Sequence, residues 1–227
     1  MRCYDALIGP AHVHKRLQII QEMQSLAQRG DDDRAALHTA SMQVEMHLVL
    51  GDMHGLQRSL LELESLAEHL REPFFLWQSK IARSVDALIR GDLELAEQMA
   101  RAALAQGTGR DPEGVRISFC VQMLYPLMLR GRISEALAIV QEMHQRSPLL
   151  ASWNAQLGAL EFMQGRKESA QRRLAALMAR GVAWLRAESE ELTTLLSVAN
   201  LAMLVDDREA MELMYEELLP FAEYHGR

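Results

Sequence analysis

Apolar residues recur along this chain in a period of three and four, interrupted at nearly regular intervals by short polar turns. After Gly91 the residues Leu93, Ala96, Met99, Ala100, Ala103 and Leu104 keep that spacing. After Gly131, Ile133, Ala136, Leu137, Val140 and Met143 do the same, and after Gly165 the set is Ala170, Leu174 and Leu177. Each set forms one stripe on a helix of 3.6 residues per turn, and Glu94, Glu97, Gln98 and Arg101 fall on the opposite face. The turns read Gly51-Asp52, Gly91-Asp92, Gly131-Arg132, Gly165-Arg166 and Asp206-Asp207. Their spacing is close to even, with one shorter step between Gly131 and Gly165. Gly9-Pro10 lies a similar interval before Gly51 and reads as the remnant of an earlier turn. A recurring period of this length, roughly 40 residues, is the signature of a repeat array.

The pattern predicts eleven helices, over residues 11–29, 33–50, 53–70, 74–90, 92–106, 113–130, 132–146, 149–164, 166–180, 187–205 and 207–224. The stretch before each turn is the first helix of a pair and the stretch after it the second. A turn glycine ends the first helix in a left-handed conformation that costs other residues free energy. The following Asp, or a Ser one or two residues on, is expected to cap the second helix. Ala96, Ala136 and Ala170, each five residues after a turn glycine, let the paired helices approach closely. One such hairpin cannot bury its apolar face alone, so neighbouring hairpins must stack. The expected fold is all-α: a right-handed α-solenoid of about five antiparallel hairpins, occupying residues 1–227 as a single domain. Pro126 is expected to kink or split its helix, because it removes a backbone donor and clashes with the preceding turn.

Composition agrees. Leu, Ala, Met, Glu, Gln and Arg are plentiful, aromatics make up only 5% of the chain, and the apolar fraction is 49%. A formal charge of −7 gives no general attraction for phosphate backbones, so direct nucleic-acid binding is not expected. The chain has no uncharged apolar run long enough to predict a membrane span, and the stretch Met1 to Lys15 does not read as a signal peptide. Cys3 and Cys120 are distant and lack a CxxC spacing, which fits a reducing cytoplasm.

Candidate chemistry is thin. No two of the histidines 12, 14, 38, 47, 54, 69, 144 and 225 stand four apart as a helical zinc pair does, so no metal is expected. Cys120 sits among Phe119, Val121, Met123 and Leu124 and reads as a buried structural thiol. No serine lies in a GxSxG elbow. The glycine-rich stretch from Gly107 to Gly114 lacks the lysine of a phosphate-binding loop. No cofactor and no catalytic activity are expected. Asp31-Asp32-Asp33 opens one helix, and Glu188, Glu190 and Glu191 lie in the first turn of another, placements that suit the positive end of the helix dipole. Most of the fourteen methionines fall on the apolar stripes and read as core filling.

Two stretches, Met123 to Pro148 and Trp153 to Val182, resemble tetratricopeptide repeats, with residues 115–182 the best-matching part. Gly131 and Gly165 stand one repeat length of that family apart. Leu157-Gly158 sits where the family has its Leu-Gly pair, Ala136 and Ala170 match its helix alanine, and Pro148 its terminal proline. Trp153 is one residue off the family's tryptophan position, and the other repeats are longer and lack the Leu-Gly pair. Over nearly its whole length the chain is also similar to the degenerate helical-repeat arm C-terminal to an ATPase module in large bacterial regulators. These are the LuxR-type transcription activators and the adenylate/guanylate cyclase proteins fused to an AAA-like ATPase. The residues carrying this are Leu70-Arg71-Glu72-Pro73 running into Trp77, Ala87 to Glu97, and Tyr215 to Phe221. The chain has no P-loop, cyclase segment or helix-turn-helix reader, starts on a lone second-type helix and stops soon after Pro220, so it is expected to be a piece of such an arm or a diverged stand-alone form.

The resemblance implies a cytoplasmic, non-catalytic module for protein–protein or interdomain contact in bacterial signal transduction or transcription regulation. The partner would be another protein or the neighbouring ATPase domain. The alternative is a sensor that takes a small inducer or peptide in the concave groove. The family's ligand-facing positions fall on Gln78, Tyr125, Met128, Ser152, Phe162, Met163 and Asn200. Tyr, Phe and Met there suit a peptide or an apolar small molecule, or else packing against neighbouring domains. Exposed end helices, at 11–29 or 207–224, are expected to favour a homodimer.

Overall fold

The computed structural model describes residues 12–107, 111–187 and 191–222. Cys3, Gly9-Pro10, Glu188, Glu190 and His225 lie outside the described residues, as do residues 108–110 of the glycine-rich stretch. Among the described residues the chain is entirely helical, with no strand. Twelve α-helices follow one another there: α1 (Val13–Gly30), α2 (Asp33–Leu50), α3 (Met53–Leu70), α4 (Pro73–Ile89), α5 (Leu93–Gln106), α6 (Pro112–Leu129), α7 (Ile133–Arg146), α8 (Ala151–Met163), α9 (Lys167–Met178), α10 (Val182–Arg186), α11 (Glu191–Val205) and α12 (Arg208–Leu218). A 3-10 turn, Leu219–Phe221, follows. Eleven of the twelve coincide with the helices predicted from apolar spacing. The twelfth, α10, is five residues long, which is too short to show a period.

Two compact units form, one from Met1–Gln122 with Phe221–Arg227 and the other from Met123–Pro220. In the first, α2 packs on α3 across the Gly51 turn and α4 on α5 across the Gly91 turn, while α1 lies on α2 and α3 on α4. Leu37, Leu56, Leu60, Leu63 and Ala67 form its fully buried centre. In the second, α8 packs on α9 across the Gly165 turn and α11 on α12 across Asp206-Asp207, with α7 against α8 and α9 against α11. Leu160, Leu174, Leu177, Leu195 and Leu201 are buried there. Consecutive pairing of this kind is the architecture of a helical solenoid.

The turns show why the sequence breaks where it does. Gly51, Gly91, Gly131 and Gly165 all adopt positive φ, from 67° to 83°. At the fifth turn Asp206 takes the same left-handed conformation, φ 59°, without the freedom of glycine. Ala96, Ala136 and Ala170 are completely buried. The side chains of Asp52, Asp92 and Asp207 accept the backbone N–H of Gly55, Leu95 and Ala210 and so cap the second helices. The expected serine caps do not form: Arg132 and Arg166 occupy the N-cap positions without a side-chain cap. Ser169 donates instead to Glu161, and Ser134 accepts from Gln164. The three aspartates divide the work. Asp31 ends α1 at φ 48°, Asp32 caps α2 by accepting from the backbone of Arg34 and Ala35, and Asp33 sits in the first turn.

Pro126 does not split its helix. It lies inside α6, which runs unbroken to Leu129. Only one turn follows it, and the Arg130 N–H closes that turn on the Pro126 carbonyl at 3.1 Å. Gly158 of the Leu-Gly pair has a packing reason: a Cβ there would stand 2.9 Å from Leu201 Cδ2, so glycine lets α11 approach α8 closely. Of the described methionines only Met163 and Met203 are exposed, and Cys120 is buried.

Candidate interaction surfaces

In the unit of residues 123–220, the first helices of two pairs, α8 and α11, lie side by side. They are tied by a buried polar contact, Gln156 Nε2 donating to Ser197 Oγ at 3.0 Å, while Ser197 donates to the Thr193 carbonyl at 2.7 Å. Of the residues expected to face a ligand, Ser152 and Phe162 are half-buried and Met163 exposed on α8, and Asn200 is half-buried on α11. Lys167 Nζ stands 5.8 Å from the centre of the Phe162 ring. Beside Asn200, Leu196 and Met203 complete a spacing of four and three along α11, and Met203 is 66% exposed. The family positions miss both. The spacing Leu196, Asn200, Met203 was the available signal, since it is one helical face distinct from the buried stripe of Leu195, Val198, Leu201 and Ala202. Tyr125, exposed, and Met128, half-buried, lie on α6.

Gln78 belongs to the other unit. Its side-chain oxygen accepts a hydrogen bond from Ser41 Oγ at 2.8 Å, so it bridges α2 and α4. The same pair of helices is joined by His38 against Phe75, edge to face with centroids 4.8 Å apart. Phe74 packs on Phe75 and on Trp77 at 5.3 and 5.6 Å, which concentrates three aromatic rings at the start of α4 in a chain poor in them. Phe74 is exposed and Trp77 half-buried. Serine–glutamine bridges therefore recur between neighbouring first helices in both units, Ser41–Gln78 and Gln156–Ser197.

A dense polar cluster ties α8 to α9, with His144 of α7 beside it. Arg173 of α9 forms a two-pronged ion pair with Glu161 of α8, through Nε at 2.9 Å and Nη2 at 3.2 Å, and its Nη1 donates to Asn154 at 2.7 Å. Ser169 Oγ donates to the same carboxylate at 2.7 Å. Burial alone would raise the Glu161 carboxyl, but the hydrogen bonds from Arg173 and Ser169 outweigh it and hold the group below the ordinary range. A carboxylate so occupied is a poor general base for the serine. His144 of α7 is pushed down by burial and by the Arg173 charge, against a smaller upward pull from Glu161, and its Nδ1 is buried with no hydrogen-bond partner among the described residues.

Two open clefts lie beside turns. One of about 480 Å³ is lined by Asp31, Asp32, Asp33, Glu62, Ser65 and Leu66, and one of about 330 Å³ by Gln171, Leu174, Val205, Asp206, Asp207 and Arg208. Among the described residues no group of three or more His, Cys, Asp or Glu side chains converges as a metal site, and no helix is long and apolar enough to cross a membrane. No protein-family model matches the chain, and neither a curated protein nor a solved structure matches it significantly.

Proposed function

We propose that this chain is a non-catalytic helical-repeat module that binds a protein partner, or a neighbouring ATPase domain, in cytoplasmic bacterial signal transduction or transcription regulation. The observation that supports it is the placement of Met163, Leu196 and Met203 on the outward faces of α8 and α11, beside the buried stripes of Leu157 and Leu160 and of Leu195, Val198 and Leu201. Unbranched, polarisable methionines adapt to irregular partner surfaces. A protein interface needs such an exposed apolar centre with a polar rim, which Ser152, Asn200 and Lys167 provide here. The polar groups that could serve chemistry are occupied in holding helices together, as Glu161, Arg173 and Gln156 show. The described clefts are open and acidic, which favours a binding module over a sensor enclosing a small apolar inducer.

Site-specific photocrosslinking in the source cells tests this reading. A photoreactive side chain at Met163 or Met203 should give a discrete adduct with another polypeptide, and the same group at Arg172 should not. Identification of an ATPase module in the adduct supports the regulatory setting. Equal labelling from all three positions, or none from Met163 and Met203, would overturn the proposal.

A further inference from the structure

We propose that Met163 and Met203 form a reversible oxidation site, at which a peroxide-class oxidant switches off the partner surface on α8 and α11. This inference rests on that face being the partner surface and adds its regulation. Of the described methionines only these two are exposed, Met163 at 44% and Met203 at 66%. The others are buried or half-buried, and Met46, Met123, Met143 and Met214 are at most 2% exposed. The two exposed residues are also neighbours. Gln156 of α8 meets Ser197 of α11 and Gly158 lies against Leu201, so the two helices run parallel, and this register sets Met163 within about one turn of Met203. Leu196 is exposed on the same face of α11 as Met203. No thiol competes among the described residues, whose one cysteine, Cys120, is buried.

A thioether attacks hydrogen peroxide through a sulfur lone pair. The S–O bond forms as the O–O bond breaks, and sulfur gives up two electrons. The proton of the transferred hydroxyl passes to the leaving one, which departs as water, and a sulfoxide remains. Reduction reverses the step: two thiols become a disulfide and the oxygen leaves as water, the chemistry of methionine sulfoxide reductases. Access governs which methionines react, so those shielded in the core keep their thioethers and the fold survives. Confinement to one face makes the modification a switch rather than a lesion. On that face a flexible apolar side chain becomes polar and chiral. An apolar partner surface offers its new oxygen no donor, so burying it costs the desolvation of a polar group.

Hydrogen peroxide treatment of the purified full chain, followed by peptide mass mapping, reads the site. Met163 and Met203 should gain oxygen ahead of every other described methionine, with no loss of helical circular dichroism. The oxidised chain, freed of peroxide and carrying a photoreactive side chain at Leu196, is then crosslinked in an extract of the source cells. The discrete adduct given by the untreated chain should be lost, and a methionine sulfoxide reductase with a dithiol should restore it. The adduct formed by Met163→Leu with Met203→Leu, whatever its yield, should be indifferent to peroxide. Oxygen uptake spread evenly over the methionines, unfolding on oxidation, an adduct that survives oxidation of both residues, or one lost equally from the leucine variant would each overturn this inference alone. Absence of an adduct before any oxidation would overturn the partner surface itself, and this inference with it.

Discussion

Glu161 and Arg173 form a two-pronged ion pair whose carboxylate is nearly buried. The Glu161 side chain is 7% exposed and that of Arg173 26% exposed, so removal of one partner strands the other in a partly dry site. Glu161→Leu should cost about 3 kcal/mol, the low end for a buried pair because Arg173 keeps some water. Glu161→Leu with Arg173→Met should recover most of that loss, and the difference between the single and double variants in urea melts measures it. His144 adds a pH dependence. Burial and the Arg173 charge hold its folded-state pKa below the unfolded one, so the neutral ring is favoured on folding. Its contribution is complete above about pH 6.5 and is lost as the pH falls through the lower folded value. Wild-type stability should therefore decline on acidification below about pH 6.5, before the carboxylates titrate, and His144→Gln should flatten that first decline.

Among the helices and turns, the turns were readable because their chemistry is local. A glycine at positive φ and an aspartate that caps the next helix need only a few neighbouring residues. Gly165→Ala places a Cβ at φ 83°, with open space around it, so the cost is backbone strain alone, about 1–2 kcal/mol. Asp206→Gly relieves the same strain at the fifth turn and should raise stability by about 0.5 kcal/mol, net of glycine's greater freedom in the unfolded chain. Thermal melts of the two variants should shift in opposite directions. The serine caps fail because the helices begin before them: Arg132 and Arg166 take the N-cap positions, and Ser134 and Ser169 lie inside the first turn, where Ser169 donates to Glu161 of the preceding helix instead. Helix α10 went unread because its five residues are held by Gly181 at φ 81° and by Arg180 stacked 3.7 Å over Trp184, neither of which is periodic.

Within each unit, contacts run between consecutive helices and between neighbouring first helices, such as α2 with α4 and α8 with α11, so stability is a sum over neighbouring pairs. Leu60→Ala and Leu160→Ala each remove a completely buried side chain and should cost about 2–5 kcal/mol. The damage should remain local. Hydrogen exchange should accelerate first in residues 33–89 for Leu60→Ala and first in residues 133–178 for Leu160→Ala. Uniform acceleration across all helices would mark a single cooperative block instead.

The helices, their pairing about the turns and the inward stripe of each could be read from the order of amino acids alone, because an apolar period and a left-handed turn are properties of a few adjacent residues. The same order marked Ser152, Phe162, Met163 and Asn200 as residues of first helices, since position on a helix follows from the turn. Which of them remain available was settled by packing. Gln78 meets Ser41 across a sequence separation of 37, and Gln156 meets Ser197 across 41. One expected contact residue is therefore taken up in a bridge, and another bridge holds the α8–α11 face together. Leu196, Met203 and Tyr215 differ from the buried leucines and methionines only in what packs beside them. The spacing of Leu196, Asn200 and Met203 marks a separate helix face, but whether such a face stays exposed depends on the neighbours the fold brings against it.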